Sequence, residues 1–257
     1  MSATIHVTRE GEHVALLTID NPPRNTLGTA MRAQLREALT RLAADLSVRA
    51  VVVTGSGKAF CSGDDLREEF AAVAGGGEPG ANLLDFARLL DQVEAFRAPV
   101  IAAVNGWCVG GGVELALCCD LRLASTDAKF VCAGVNVGLT ASAYRLPRTI
   151  GIANAKHMLF TGQPYAAESA ARFGLVSDLH PPSDLLPAAL RLADRIASRA
   201  PLSVEATKRL ASAAPDLTPQ QALTAQAEEL ATLITTTDHL TALQAFLEKH
   251  TPIFTRS

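Results

Sequence analysis

Short apolar stretches alternate with amphipathic stretches along the first half of the chain. Residues 4–9 and 14–20 alternate or are β-branched, and Glu10-Gly11-Glu12-His13 lies between them. This arrangement predicts a β-hairpin. From residue 29 to residue 46, apolar positions recur at helical spacing with Arg and Glu between them, which predicts an amphipathic helix.

Two wholly or nearly apolar runs follow, at residues 50–54 and 100–104, and each is bounded by turn-forming residues. Such runs predict buried strands, and their alternation with helices favours an α/β fold. Residues 75–80 have the composition of a flexible loop, so we expect mobility there.

The chain becomes almost wholly helical after about residue 183. Ala/Leu periodicity predicts helices at 185–199, 203–212, 219–235 and 238–250, with Pro201, Pro215 and Pro219 at the breaks. We therefore expect two regions, an α/β core over residues 1–182 and a C-terminal helical region over residues 183–257, without internal repeats.

Composition narrows the class of protein. The chain has 257 residues, 48% of them hydrophobic, which is enough for a sizeable core. A net charge of −3 without Lys/Arg clusters argues against nucleic acid as a partner. No apolar run is long enough to span a membrane and no leader pattern opens the chain, so we expect a soluble cytoplasmic protein. Five cysteines without CxxC spacing and scattered histidines predict neither disulfides nor a metal site.

Two segments make a transition from strand to helix that leaves backbone N–H groups free. Residues 60–66 read Phe-Cys-Ser-Gly-Asp-Asp-Leu and lead into a polar helix-forming stretch. Residues 105–114 read Asn-Gly-Trp-Cys-Val-Gly-Gly-Gly-Val-Glu, where glycines allow a carbonyl group to approach unpaired N–H groups. Either segment alone also fits an ordinary helix cap. Facing each other, they would form an oxyanion hole.

In this order, and followed by Leu-Ala-Leu-Cys-Cys-Asp at 115–120, the two segments resemble the crotonase (enoyl-CoA hydratase/isomerase) family. The resemblance extends from the Asn-Pro-Pro-Arg-Asn segment at 21–25 to the ending at 246–254. It implies a ββα spiral core with a C-terminal helical trimerisation region, assembling as a homotrimer or as a homohexamer of two stacked trimers. It also implies an acyl-CoA thioester substrate, with no metal and no cofactor beyond the coenzyme A of the substrate.

The resemblance assigns roles residue by residue. The N–H groups of Asp64 and Gly111 would bind the thioester oxygen as it gains enolate charge, and Glu114 matches the carboxylate that activates water in hydratases. Lys249 would approach a neighbouring subunit's nucleotide, as would Phe254. The implied substrate-binding residues are Arg24, Lys58, Phe60, Ser62, Asp64, Leu66, Gly110, Gly111 and Phe254.

One catalytic position departs from the family pattern. Hydratases carry a second glutamate where this chain has Gly134, and the following loop at 139–145 is short and contains no acid. Candidates for a replacement are the side chains of Asp64, Tyr144, Cys132, Glu68 and Glu69. Two of these candidates also have an ordinary, non-catalytic interpretation. Asp64 fits an exposed acid at a helix start, and Tyr144 fits a packing residue.

The expected activity is hydration of a trans-2-enoyl-CoA or isomerisation of its double bond, with Glu114 as acid and base. Decarboxylation or thioester cleavage on the same fold is an alternative, because the oxyanion hole matters more there than a second acid. An inactive acyl-CoA-binding subunit is the alternative from another class.

Residues 55–58 do not form a P-loop, since Val52 and Ala59 replace the required glycine and hydroxyl residue.

Overall fold

The computed structural model of the protein describes residues 3–76 and 80–257, which fold around two sheets. The larger sheet has six strands in the order β1-β2-β3-β5-β7-β10, and the smaller has four in the order β4-β6-β8-β9. The strands are β1 (Thr4–Glu10), β2 (Val14–Asp20), β3 (Ala50–Gly55), β4 (Ala59–Cys61), β5 (Val100–Val104), β6 (Trp107–Val109), β7 (Leu121–Ser125), β8 (Lys129–Val131), β9 (Tyr165–Ala166) and β10 (Asp178–His180).

Eleven α-helices are present within the described residues. They are α1 (Thr29–Ala44), α2 (Leu66–Ala74), α3 (Ala81–Glu94), α4 (Gly111–Cys118), α5 (Arg145–Ile150), α6 (Ile152–Thr161), α7 (Ala167–Phe173), α8 (Pro182–Ala197), α9 (Pro201–Ala213), α10 (Pro219–Leu233) and α11 (Thr237–Glu248). Short 3₁₀ turns cover Ala133–Val137 and Ala214–Asp216.

The predicted hairpin is confirmed, because β1 and β2 pair antiparallel from Thr4 opposite Asp20 to Glu10 opposite Val14. Gly11 in its turn has a φ of 70°, a left-handed conformation that glycine adopts without steric cost. Beyond β2 the larger sheet is parallel, with β3 between β2 and β5. The helix predicted at 29–46 and the strands predicted at 50–54 and 100–104 are also confirmed.

The larger sheet is covered on both faces at β3, which explains why residues 50–53 of this strand are all apolar. Val51 and Val53 face the main core cluster, which contains residues of α1, α3 and α4. Ala50 and Val52 face the opposite way, into a second cluster that contains Leu185 and several alanines of α8. Successive strand residues point to opposite faces, so a strand covered on both sides is apolar at most positions, and the hydroxyl of the buried Thr54 donates to the carbonyl oxygen of Ala103 at 2.9 Å.

The C-terminal helices are present as expected at α8 to α11. Helix α8 packs on the second face of the larger sheet, with Ala189 and Ala193 fully buried. The division predicted at residues 182 and 183 therefore falls at the start of a helix that completes the core of the preceding region. As a domain boundary it stays a prediction.

The glycine-rich stretch at 75–80 joins α2 to α3. Gly75 ends α2, and Gly80, with a φ of 87°, precedes α3. Gly77, Glu78 and Pro79 lie outside the described residues, and with them half of the stretch in which mobility was expected.

Candidate active site

The two motif segments lie side by side because β4 and β6 pair in parallel. The turns that follow these strands therefore leave the same edge of the small sheet. A Cβ atom placed on Gly111 would lie 3.0 Å from the Cα of Gly63, and one placed on Gly63 would lie 2.5 Å from the nitrogen of Gly111. The two backbones are thus in direct contact, as the sequence predicted.

Glycine is required at this contact for steric reasons. A Cβ atom on Gly112 would overlap the carbonyl oxygen of Cys61. Gly110 has φ 53° and ψ −116°, a backbone conformation that residues with a side chain rarely adopt. The run of three glycines therefore lets α4 begin against the turn after β4.

Two backbone donors are free at this junction. Within residues 3–76 and 80–257, neither the N–H of Asp64 nor that of Gly111 has a hydrogen-bond acceptor. Asp64 directly precedes Asp65, whose side chain caps α2, and Gly111 is the first residue of α4. Free N–H groups at helix starts, where the helix dipole is positive, favour an oxygen that carries negative charge. The pair has the composition and position of an oxyanion hole.

Glu114 lies one helical turn after Gly111, and its side chain is only 13% exposed. Its Oε1 accepts a hydrogen bond from the backbone N–H of Ser142, and its Oε2 lies 3.5 Å from Nη1 of Arg145. Arg145 in turn donates to Oε2 of Glu94 at 2.7 Å. The N–H of Ser142 and the guanidinium of Arg145 therefore fix the orientation of this carboxylate.

Backbone atoms fill the space next to Gly134, where the second glutamate of hydratases would begin. A Cβ atom there would lie 2.9 Å from the carbonyl oxygen of Leu139 and 3.0 Å from the nitrogen of Ala141. The N–H of Leu139 also donates to the carbonyl oxygen of Gly134 at 2.8 Å. The short loop thus folds back onto the position that the missing side chain would need.

Asp64 is not an exposed helix-start acid, which corrects that interpretation of its side chain, and its carboxylate is paired. The carboxylate is 13% exposed and pairs with the buried guanidinium of Arg32. Burial raises the pKa of Asp64, against the opposing effect of the Arg32 charge. Sequence reasoning missed Arg32, because a residue 32 positions away gives no local signal.

Glu68 and Glu69 are both engaged in structural contacts. Glu68 accepts from the backbone N–H of Thr29 at 2.8 Å and from its hydroxyl at 2.9 Å, so it caps the start of α1. Glu69 accepts from Nδ2 of Asn82 at 3.1 Å.

Tyr144 and Cys132, the remaining candidates for the missing glutamate, lie in contrasting surroundings. Tyr144 is 60% exposed and so is no packing residue, and the guanidinium of Arg148 lies 4.9 Å from its ring centroid. Cys132 is buried, and burial together with the nearby charge of Glu114 raises the pKa of its thiol to about 12. A thiol with that pKa remains neutral at physiological pH.

The substrate-binding residues that the family resemblance implies differ in their solvent exposure. Arg24, Lys58 and Leu66 are exposed, whereas Ser62, Gly110 and Gly111 are half-buried in the junction. Phe60 has no accessible surface and packs in the main core cluster, so in this structure its side chain supports the turn and does not face solvent. Phe254 is buried within its own chain, and its carbonyl oxygen accepts from Arg49 at 2.8 Å. Contact between Phe254 or Lys249 and a neighbour's nucleotide stays a prediction.

Asn25 is a positioning residue that the sequence did not reveal. It is fully buried with a φ of 54°, and its Nδ2 donates to the carbonyl oxygens of Ser56 at 2.9 Å and Ala59 at 2.7 Å. These bonds attach the turn at 21–25 to the start of β4. Asparagine tolerates left-handed backbone better than most residues, which was the available signal.

An α/β scaffold that brings two free N–H groups and an oriented glutamate together defines an enzyme site for chemistry at an activated carbonyl group. The model of the enoyl-CoA hydratase/isomerase family matches residues 9–257, and the chain belongs to that family. The chain is thus an acyl-CoA hydratase/isomerase by family.

Relatives and solved structures cover nearly all of the chain. The (E)-benzylidenesuccinyl-CoA hydratase of Thauera aromatica is 38% identical, with 99% of each chain covered. The 2,3-dehydroadipyl-CoA hydratase of Escherichia coli (strain K12) is 36% identical, with 95% of each chain covered. The crystal structure of an enoyl-CoA hydratase from Bacillus anthracis matches with a TM-score of 0.93 at 32% identity, covering 99% of this chain and 100% of that one.

No helix in the described part of the chain is long and apolar enough to cross a membrane. Within the same residues, His, Cys, Asp and Glu side chains form no group of three or more that could hold a metal ion.

Proposed function

We propose that the protein hydrates the double bond of a trans-2-enoyl-CoA, using Glu114 as both base and acid. The observation that carries the proposal is the position of Glu114, one turn along α4 from the free N–H of Gly111. A thioester oxygen bound between the two donors places the adjacent carbons of the acyl group at the start of this helix.

The reaction then proceeds in two proton transfers. Glu114 takes a proton from water as the water oxygen bonds to the β-carbon, and the π electrons move onto the thioester oxygen to form an enolate. The N–H groups of Asp64 and Gly111 stabilise that charge, each contributing about 3–4 kcal/mol. The protonated Glu114 then delivers its proton to the α-carbon and regenerates the carboxylate.

The surroundings of Glu114 fit this double role. Ser142 and Arg145 hold the two carboxylate oxygens in place, and the backbone at Gly134 leaves no room for a second acid. The chemistry requires no metal and no redox cofactor, and coenzyme A enters as part of the substrate.

Isomerisation of the double bond is a second candidate, favoured by the presence of a glycine at position 134. One carboxylate that removes a proton from the γ-carbon and returns it to the α-carbon, through a dienolate bound by the same N–H groups, needs no water and no second acid. The relatives are named for different acyl groups, so the acyl group of the substrate has to be found by experiment.

Assembly through the C-terminal helices belongs to the same proposal. Helix α11 carries Leu240, Phe246 and Leu247 with 62%, 82% and 78% of their surface exposed, and Leu223 and Leu230 on α10 are 63% and 56% exposed. Apolar side chains in such number on adjacent helices favour burial against copies of the chain. We propose a homotrimer or a pair of stacked trimers.

Turnover of a panel of enoyl-CoA thioesters tests the function. We expect loss of the conjugated double bond, with a 3-hydroxyacyl product if hydration occurs and a shifted double bond if isomerisation occurs. Free acid or a decarboxylated thioester as the product would indicate the alternative chemistries. Binding of the thioesters without any product would show an inactive binding subunit and overturn the proposal.

A further inference from the structure

Arg32 is a fully buried arginine that connects three elements around the oxyanion hole. It lies on α1 with 1% of its side chain exposed. Its Nη1 donates to the carbonyl oxygen of Leu27 at 3.0 Å and to Oδ1 of Asp64, while its Nε donates to Oδ2 of Asp85 on α3 at 2.7 Å. A guanidinium removed from water needs such partners, because an unpaired buried charge is costly.

These contacts close a ring around one peptide group. The N–H of Leu27 donates to the carbonyl oxygen of Gly63 at 2.7 Å, and the carbonyl oxygen of Leu27 accepts from Arg32. Arg32 binds the side chain of Asp64, whose own N–H belongs to the same planar peptide group as the carbonyl of Gly63. Both ends of that peptide group are thereby fixed, and with them the direction of the N–H.

Within this ring, the charge of Arg32 also balances the negative charge of the Asp64 carboxylate next to the oxyanion hole. A carboxylate on the residue that donates the N–H would repel a developing enolate if its charge were not balanced. Asp64 Oδ2 is buried and has no hydrogen-bond partner in the described structure, so the charge balance of this carboxylate depends mainly on Arg32. Asp85 does not depend on Arg32 alone, since Arg36 also donates to it at 2.6 Å.

We propose that Arg32 and Asp64 act as one positioning unit that orients the Asp64 N–H toward the substrate oxygen and keeps the hole free of net negative charge. The inference rests on the proposed function. Neither side chain touches the reacting atoms, so their effect acts through the backbone donor.

A double-mutant cycle tests the unit. Arg32→Met leaves the Asp64 carboxylate unbalanced, and Asp64→Ala leaves the N–H present with its peptide group held only by the bond from Leu27 to Gly63. We expect each single variant to lower kcat at least tenfold with KM changed less than threefold, because the loss falls on the enolate and not on the bound substrate. The double variant should be no slower than the slower single variant, since residues that act together are not additive.

Arg36→Met is the matched control. It removes a positive charge from the same helix and a bond to the same Asp85, but it makes no contact with Asp64, so kcat should stay within twofold of the native value. Asp64→Asn supplies a second test if Arg32→Met fails to fold, because the amide oxygen still accepts from Arg32. It should retain several-fold more kcat than Asp64→Ala.

The outcomes separate this inference from the proposed function. Absence of turnover in the native protein would sink the proposed function before any variant is compared. Active native protein combined with single-variant losses that multiply in the double variant would overturn the inference alone. The same holds if Asp64→Asn is no better than Asp64→Ala.

Discussion

The backbone N–H of Ser142 donates a hydrogen bond to the carboxylate of Glu114, across 28 positions of sequence. This bond ties the loop after the 3₁₀ turn at Ala133–Val137 to the candidate acid and base. Ser142 has a φ of 60°, so the loop adopts a left-handed conformation at the residue that makes the bond. A change in the shape of this loop would therefore change the orientation of the Glu114 carboxylate.

Glu114→Gln should lower kcat by about 100- to 10,000-fold, the usual contribution of a positioned acid or base. The amide keeps the shape of the side chain and leaves the donors of Asp64 and Gly111 in place, so affinity for acyl-CoA should change little. Steady-state kinetics and titration with a saturated acyl-CoA measure the two effects. Glu69→Gln serves as the control, because that carboxylate binds Asn82, and it should turn over at close to the native rate. Native turnover in Glu114→Gln would show that the carboxylate is structural.

Gly134→Glu should not create a better hydratase. The added Cβ atom would lie 2.9 Å from a backbone oxygen of Leu139, so the loop has to shift and the Glu114–Ser142 bond is disturbed with it. We expect lower turnover and a loss of about 1–3 kcal/mol in the free energy of unfolding, as for other overpacked sites. Val137→Ala in the same turn is the control, because Val137 is 49% exposed. A faster hydration rate in Gly134→Glu would contradict this prediction, because it would mean that the loop can shift without disturbing Glu114.

Gly112→Ala should destabilise the protein although alanine is the better helix former by about 1 kcal/mol. Its Cβ atom would overlap the carbonyl oxygen of Cys61 and push α4 away from the turn that carries Asp64. Both thermal stability and kcat should fall. Gly174→Ala meets open space at a φ of 83° and should cost only about 1–2 kcal/mol with kcat unchanged. Equal effects of the two substitutions on kcat would argue against close contact at the junction.

Glu205 should make stability depend on pH in the acid range. Burial pushes its pKa up, but bonds from Arg256 at 2.9 Å and Arg97 at 2.7 Å outweigh burial and hold the pKa below its ordinary value of 4.5. The unfolded chain therefore takes up this proton at higher pH than the folded chain does. The stabilisation is complete above about pH 4.5 and is lost as the pH falls through the folded pKa.

Thermal unfolding of the native protein and of Glu205→Gln checks this sign. Near neutral pH the variant should be less stable by about 3 kcal/mol, the usual cost of breaking a buried ion pair. As the pH drops below 4.5, the difference between the two proteins should shrink. A difference that stays constant with pH would contradict the role of this carboxylate.

Phe246→Glu on α11 should weaken assembly, because a charge replaces an apolar side chain that is 82% exposed in the single chain. Sedimentation should show the native protein as a trimer or hexamer and the variant as a smaller species. Leu46→Glu, at another exposed apolar position after α1, should leave the native assembly intact. A native protein that sediments as a monomer would refute the proposed assembly.

The elements that the sequence predicted well are those with strong local periodicity. The hairpin, α1 and the four C-terminal helices have apolar positions at regular spacing, whereas β3 and β5 are continuous apolar runs between turn residues. The observed bounds of all these elements differ from the predicted ones by a few residues. The meeting of the two glycine segments also followed from sequence, because the family resemblance named both. Helix α3 was not predicted, although it buries Phe86 and Leu89.

What sequence could not supply is the set of contacts between distant positions. The partners of Asp64, Glu68 and Glu205 lie 32, 39 and 51 to 108 positions away. No short-range pattern marks such pairs, since each depends on how the helices come together. For the same reason the sequence left open whether the loop after Gly134 had room for a side chain.

Helix α8 has a consequence for the order of folding during synthesis. It is the layer that covers Val52, Ile101 and Leu123 on the second face of the larger sheet. Until residues 182–197 have left the ribosome, this face remains open to water, although all ten strands have already been made. A nascent chain halted before that point would present a broad apolar sheet to chaperones, so the core reaches its native form only late in translation.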